Sequence, residues 1–259
     1  MEIEELNRLQ DLANVGNIAA INKLVDYYLK NNDYKKAFLT AQRFEYVSDS
    51  QGYKTLGYFY QKGVGTPVDL EKSVKFYEKS YELGDTSSGY NIALIYVKNK
   101  EFSKALPYLT GGIENSHIPS MRLLASLYLN GDGLLQDKNI AISLLEKAIE
   151  LGDIKSITQL AKIYYVDKDY EKAFELFKKG SEYGDIDSMY HVGLCYAKGL
   201  GIKQDFATAF RYYEVGAKQL EPRCLYNLSL YYRDGITVPK NEELASKLEE
   251  QAIKQGFKK

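Results

Sequence analysis

The sequence predicts an all-α fold, a solenoid of helix-turn-helix repeats, and three regularities carry that expectation. Tyrosines form a ladder at Tyr28, Tyr60, Tyr96, Tyr128, Tyr164, Tyr196 and Tyr232, spaced 32, 36, 32, 36, 32 and 36 residues apart in a chain that holds 24 tyrosines. Four residues before each stands a large aliphatic, namely Leu24, Leu56, Ile92, Leu124, Leu160, Val192 and Leu228. Residues four apart share one face of a helix, so the two form a buried stripe. Three residues before each tyrosine stands a smaller side chain, Val25, Gly57, Ala93, Ala125, Ala161, Gly193 and Ser229, which lets a neighbouring helix come close.

Residues 2 to 14 place Ile3, Leu6, Leu9 and Ala13 at helical spacing and end at Gly16-Asn17. Gly16 suits the left-handed position after a helix, and Asn17 suits the cap of the next one. The stretch 1–17 therefore reads as a capping helix. Repeats follow at 18–49, 50–85, 86–117, 118–153, 154–185, 186–221 and 222–257, forming with the cap a single solenoid over 1–259. The first helix of each carries the ladder tyrosine. The second is marked by a small residue, Ala37, Ala105 or Ala173 nine residues after the tyrosine, or Ser73, Ala141, Ala209 or Ala245 thirteen after it. The extra four residues of the long repeats are thereby assigned to the turn between helices, and Asp85, Asp153 and Asp185 to helix caps.

Two places depart from the pattern. In 86–117, Pro107 falls inside the expected second helix, where it removes a backbone donor and favours a kink, and Gly111-Gly112 weakens the helix end. A hinge and a tolerated imperfection are both open there. In the last helix, Glu249 takes the place of Tyr77, Leu109, Leu145, Phe177 and Tyr213, which suits the polar outer face that a solenoid needs at its end.

The small, aliphatic, tyrosine and alanine arrangement resembles the tetratricopeptide pattern, whose period is about 34 residues. The long repeats resemble its relative, the Sel-one-like repeat, through the turns Gly63-Val64-Gly65-Thr66-Pro67-Val68-Asp69, Gly131-Asp132-Gly133 and Gly199-Leu200-Gly201-Ile202-Lys203-Gln204-Asp205. Their closing segments Tyr81-Glu82-Leu83-Gly84-Asp85 and Ile149-Glu150-Leu151-Gly152-Asp153 agree with that family too. The resemblance implies a right-handed superhelix that serves protein complexes, with the first helices lining its concave groove.

Composition narrows the classes further. The formal net charge is −1 with 27% charged residues, so the bulk balance gives no argument for nucleic acid or an anionic membrane. The N-terminal segment is acidic and amphipathic rather than signal-like, and no apolar run reaches the length of a membrane span. Cys195 and Cys224 occupy unlike repeat positions, which does not suit a disulfide framework. Together these give a cytoplasmic expectation, with no membrane partner.

Chemistry-bearing groups are sparse. The glycine turns lack the preceding strand and third glycine of a dinucleotide fingerprint, so they read as chain reversals. His191 and Cys195 lie four apart on one helix, a spacing compatible with a nucleophile and its base or with two metal ligands. Cys195, however, takes a position that is apolar in the other repeats, which reads as an inert buried thiol. The expectation is no enzyme, no cofactor and no metal.

Carried onto this chain, the groove positions implied by the resemblance include Lys54, Tyr58, Tyr90, Leu94, Arg122, Lys162, Tyr165, Tyr190, Leu194 and Tyr226. With Asp26, Lys30, Gln61, Lys62, Lys98, Ser126, Asn130, Lys155, Thr158, Asp187, Lys198, Arg223, Leu230, Arg233 and Asp234 they hold ten basic residues against three acidic ones. Part of the excess, at Lys30, Lys62, Lys98 and Lys198, falls in the last turn of a helix, where the helix dipole favours a cation. Tyr90, Tyr190 and Tyr226 share one slot six before the ladder tyrosine, with Arg122 in the same slot. Tyrosine and arginine are common binding hot spots, and stacking on the next repeat is the equal alternative. The reading is a non-enzymatic adaptor that binds a protein or extended peptide of acidic character. A stoichiometric inhibitor or immunity protein is the rival, and nucleic-acid binding by the basic strip a lesser one.

Overall fold

The computed structural model describes residues 3–258, and its regular elements are α-helices with one 3-10 segment. Helix α1 (Ile3–Asn14) comes first. It is followed by α2 (Ile18–Lys30) with α3 (Tyr34–Ala41), α4 (Ser50–Lys62) with α5 (Leu70–Glu82), and α6 (Thr86–Lys98) with α7 (Phe102–Glu114). Then come α8 (Ile118–Asn130) with α9 (Lys138–Glu150), α10 (Ile154–Val166) with α11 (Tyr170–Glu182), α12 (Ile186–Lys198) with α13 (Phe206–Lys218), and α14 (Pro222–Asp234) with α15 (Glu242–Lys254). The chain forms two compact units that divide within α9, one running to Ala141 and the other from Ile142.

Caps and turns fix the helix ends. Asn17 accepts a hydrogen bond from the Ala20 amide, and Asp153 and Asp185 accept from the Ser156 and Ser188 amides, so three of the expected caps close their helices. Asp85 instead turns its carboxylate to the Ser87 and Ser88 hydroxyls. In the long turns Gly65 and Gly201 have φ values of 67° and 68°. Any added methyl would lie 2.0 Å from the Tyr34 or Tyr170 carbonyl oxygen, because each turn crosses the start of the preceding second helix. A structural role therefore accounts for these glycines.

Inside a pair the side chains match by size. Gly57 lies under the Tyr77 ring and Gly193 under Tyr213, where an added methyl would sit 2.6 and 2.8 Å from ring carbons. At the ladder, Tyr60 stacks on Phe76 with ring centroids 5.6 Å apart, Tyr96 on Tyr108 at 6.3 Å, and Tyr196 on Tyr212 at 6.1 Å. Over four ladder rings lies a lysine, at 5.7 Å for Lys36, 5.3 Å for Lys72, 5.5 Å for Lys104 and 5.1 Å for Lys172. Each of these lysines pairs with the acid that precedes its helix, Asp33, Asp69, Glu101 or Asp169. The arrangement pins the start of the second helix to the first.

Helix α7 keeps its length, and two expectations need correction. Helix α7 runs through Pro107 for 13 residues, the same length as α6 and α8. Gly111 and Gly112 do not loosen its end: a methyl on Gly112 would meet the Ser120 hydroxyl oxygen at 2.3 Å, and one on Gly111 the Tyr81 hydroxyl at 2.2 Å, so both permit close packing. Glu249 is no polar outer face, since its side chain is 14% exposed and bonded to Arg233. Among the repeat helices α3 departs from the regular length: it stops after 8 residues and a 3-10 segment, Gln42–Tyr46, carries Phe44 onto Gly52.

The size matching predicts a compensated pair. Gly57→Ala should cost about 1–3 kcal/mol by overpacking against Tyr77, and adding Tyr77→Leu should restore most of it, as Ala93 and Leu109 occupy the same positions in the next pair. Chemical denaturation of the three variants measures this, and a stable single variant would refute the close packing. The hydroxyls give a second contrast. Tyr77 is hydrogen-bonded to Gln61 at 3.2 Å, whereas the buried Tyr213 hydroxyl has no partner among the described residues, Ala197 standing where Gln61 does. Tyr213→Phe should therefore leave the melting temperature unchanged or raise it, and Tyr77→Phe should lower it.

Candidate functional site

The first helices of neighbouring pairs touch side by side within each unit, and the contacts run through one slot. In the unit that ends at Ala141, Lys54 of α4 reaches the start of α6, with its ammonium 3.2 Å from Asp85 and 3.2 Å from the Ser87 hydroxyl. Tyr90 of α6 packs on His117, the residue that precedes α8, with ring centroids 5.4 Å apart. In the other unit the Thr158 hydroxyl donates to Asp185 at 2.8 Å. Tyr190 lies 4.2 Å under the Arg223 guanidinium, which is itself held by Glu221 at 2.6 Å, and Tyr226 stacks on Phe257 at 4.3 Å. At Lys54, Tyr90 and Thr158 the slot six before the ladder tyrosine thus meets the cap of the next first helix, while Tyr190 meets Arg223, two residues past the cap. Of the two uses considered for its tyrosines, stacking on the following element describes the contacts they make.

The remaining positions differ in exposure. Tyr58 is 47% exposed and Leu94 36%, in the same register on α4 and α6. Lys162 is exposed, while Tyr165, Leu194 and Arg122 are half-buried, and Tyr165 leans on His191 at 5.8 Å. Thr158, placed in the groove by sequence, is buried.

Lys54, Lys162, Arg223 and Arg233 on the face are committed to internal pairs. Lys162 of α10 and Arg223 of α14 both bond to Asp187 of α12, tying three first helices together. Burial alone pushes the Asp187 carboxyl up, but hydrogen bonds from Lys162 and Arg223 outweigh it and hold the group below its ordinary value. Arg233 bonds to Glu249 and Lys54 to Asp85. Asp85, Glu221 and Glu249 were the acids missed by counting first-helix residues alone. The signal was available in the numbering: slot and cap lie 27 residues apart in short repeats, as for Tyr90 and His117, and 31 in long ones, as for Lys54 and Asp85.

His191 and Cys195 form no nucleophile and base. Burial pushes the Cys195 thiol up to about 11 and the His191 imidazole down to about 4, so at neutral pH the thiol keeps its proton and the ring is uncharged. His191 lies flat on Phe177, with centroids 4.3 Å apart and planes 8° from parallel.

A protein-family model described as Sel1 repeat matches residues 55–85, 118–153, 161–185, 186–219 and 222–257, more than half of the chain. Chitin synthase regulatory factor 3 of Schizosaccharomyces pombe is 28% identical over 217 residues, 75% of this chain and 23% of that protein, so the chain spans about a quarter of its length. A Sel1 repeat protein from Oxalobacter formigenes shares the fold with a TM-score of 0.76 at 21% identity, over 90% of this chain and 99% of that one. So does c5321, a protective antigen of uropathogenic Escherichia coli with an SLR fold, at a TM-score of 0.75 and 21% identity, over 97% of this chain and 60% of that one.

The neutral His191 predicts acid sensitivity. Burial is the largest cause of its lowered pKa, Asp187 opposes it, and Lys162 and Arg223 reinforce it. A group harder to protonate when folded contributes stability that is complete above the unfolded value of 6.5 and is lost as pH falls from there to about 4. The loss is on the order of 3 kcal/mol. Urea denaturation across that window should show it in the wild type and a flatter dependence in His191→Phe. Equal slopes would mean that the ring is protonated without penalty.

Proposed function

The chain belongs to the Sel1 repeat family, whose members generally mediate protein–protein interactions, and on that premise we propose that it is a non-enzymatic adaptor that binds a protein or extended peptide on its first-helix face. The observation that carries this reading is the exposure of Tyr58 and Leu94 in one register of adjacent helices, on a row whose other apolar residues are buried or half-buried. An apolar pair left in water at the same height on two neighbouring helices is a ready contact for another chain. The suppressed ionisation of Cys195 and His191 supports the non-enzymatic part.

Affinity capture from a native lysate tests the proposal with Tyr58→Ala, Leu94→Ala as the variant. These positions serve better than Tyr90 or Tyr190, whose loss would loosen a helix junction. The wild type should retain a protein that the folded variant loses, with affinity falling about tenfold or more for a buried aromatic anchor. Equal retention by both would overturn the assignment of this face.

A further inference from the structure

We infer that the first-helix face of the unit ending at Ala141 takes an extended acidic peptide, with carboxylates on Lys62 and Lys98 and an apolar side chain against Tyr58 and Leu94. The inference rests on the adaptor reading and adds the chemistry of the ligand. Lys62 and Lys98 are the last residues of α4 and α6, are exposed, and make no ion pair among the described residues. They differ in this from Lys54, Lys162, Arg223 and Arg233 of the first helices, each held by a carboxylate. The helix dipole favours a cation at these ends without supplying the counter-charge that the other four possess.

Each lysine follows its apolar neighbour by four residues, Tyr58 before Lys62 and Leu94 before Lys98, so cation and apolar group share one helix face. The patch is bounded on both sides. On α2 the equivalent pair is Asp26 and Lys30, which sets an acid beside the cation, and on α8 it is the neutral Ser126 and Asn130.

A polyproline-like chain rises about 3.1 Å per residue with three residues per turn. Every third side chain of such a peptide therefore points the same way, about 9 Å further along. The ligand read from the patch is an acidic residue, two intervening residues of which one is apolar, and a second acidic residue. A nucleic acid would instead call for a long basic stripe, and the net charge of −1 and the apolar pair argue against it.

The test uses the full chain and a labelled peptide with glutamate at every third residue and leucine between, alongside an isomer with its glutamates contiguous. The spaced peptide should bind more tightly, more weakly as salt rises, and about tenfold less well to Lys62→Glu or Lys98→Glu. Lys155→Glu and Lys198→Glu, on the other unit, should bind as the wild type does. Equal binding of the two isomers, equal loss in the control variants, or tighter binding of a single-stranded oligonucleotide would overturn the inference. A protein captured from lysate that Tyr58→Ala, Leu94→Ala loses and the lysine reversals keep would leave the adaptor reading standing and remove the acidic ligand.

Discussion

The contact on which the other features depend is the close approach of each second helix to the first helix that follows it. Eight residues separate the paired positions, and at each one the side chains are sized to let the helices touch. Ser80 meets Ser88 through a 2.8 Å hydroxyl contact, while methyl groups on Gly180 or Gly216 would lie 2.3 and 2.4 Å from the side-chain tips of Ser188 and Cys224. Tyr81 and Gly89, also eight residues apart, reverse the sizes, and so does the first pair. There Phe44 is the large partner and Gly52 the small one, and a methyl on Gly52 would stand 2.2 Å from the ring. The 3-10 segment that ends this second helix is the backbone adjustment that brings Phe44 over the glycine.

Once that distance is set, the ends of the first helices are set as well. The cap residue falls beside the previous first helix, where Lys54, Tyr90 and Thr158, in the slot six before the ladder tyrosine, meet it. The solutions vary in chemistry: an ion pair at Lys54 and Asp85, a hydroxyl donated by Thr158 to Asp185, an aromatic contact at Tyr90 and His117. Partner chemistry at one geometric position explains why both polar and aromatic residues occur there. It also explains why Lys54, which reads as a ligand-binding cation, is already neutralised. The Asp187 centre extends the principle, using two cations from flanking helices to offset the burial of one carboxylate.

What was legible in the sequence follows from what kind of regularity each feature leaves. The tyrosine ladder, the glycine turns and the capping asparagine and aspartates recur at fixed intervals and act on their own helix, so spacing and local chemistry suffice to place them. The slot was harder because a helical period says that Tyr190 faces away from its own pair but not whether water or the next cap lies there. Glu249 shows the same limit. A glutamate in place of Tyr213 looks like an outward-facing end residue until Arg233, sixteen positions earlier, is seen to hold it. Gly111 and Gly112 look like helix breakers by propensity, whereas the decisive fact is the neighbouring Tyr81 and Ser120, which propensity does not contain.

The binding capacity of such a face is then a remainder. Positions that register one helix on the next are constrained by contacts inside the chain, and changing them would loosen the stack before altering recognition. Tyr58, Leu94, Lys62 and Lys98 are different in kind, because no helix junction described above uses them and their exposure is not needed to hold α4 against α6. Exposed apolar side chains lower solubility unless something covers them, and like charges in one register repel until counter-charge arrives. Both costs fall on the same short stretch of two helices. An adaptor built from repeats separates its two tasks in this way: the slot and the small pairs determine the stack, and the residues left over on adjacent first helices determine what the stack recognises.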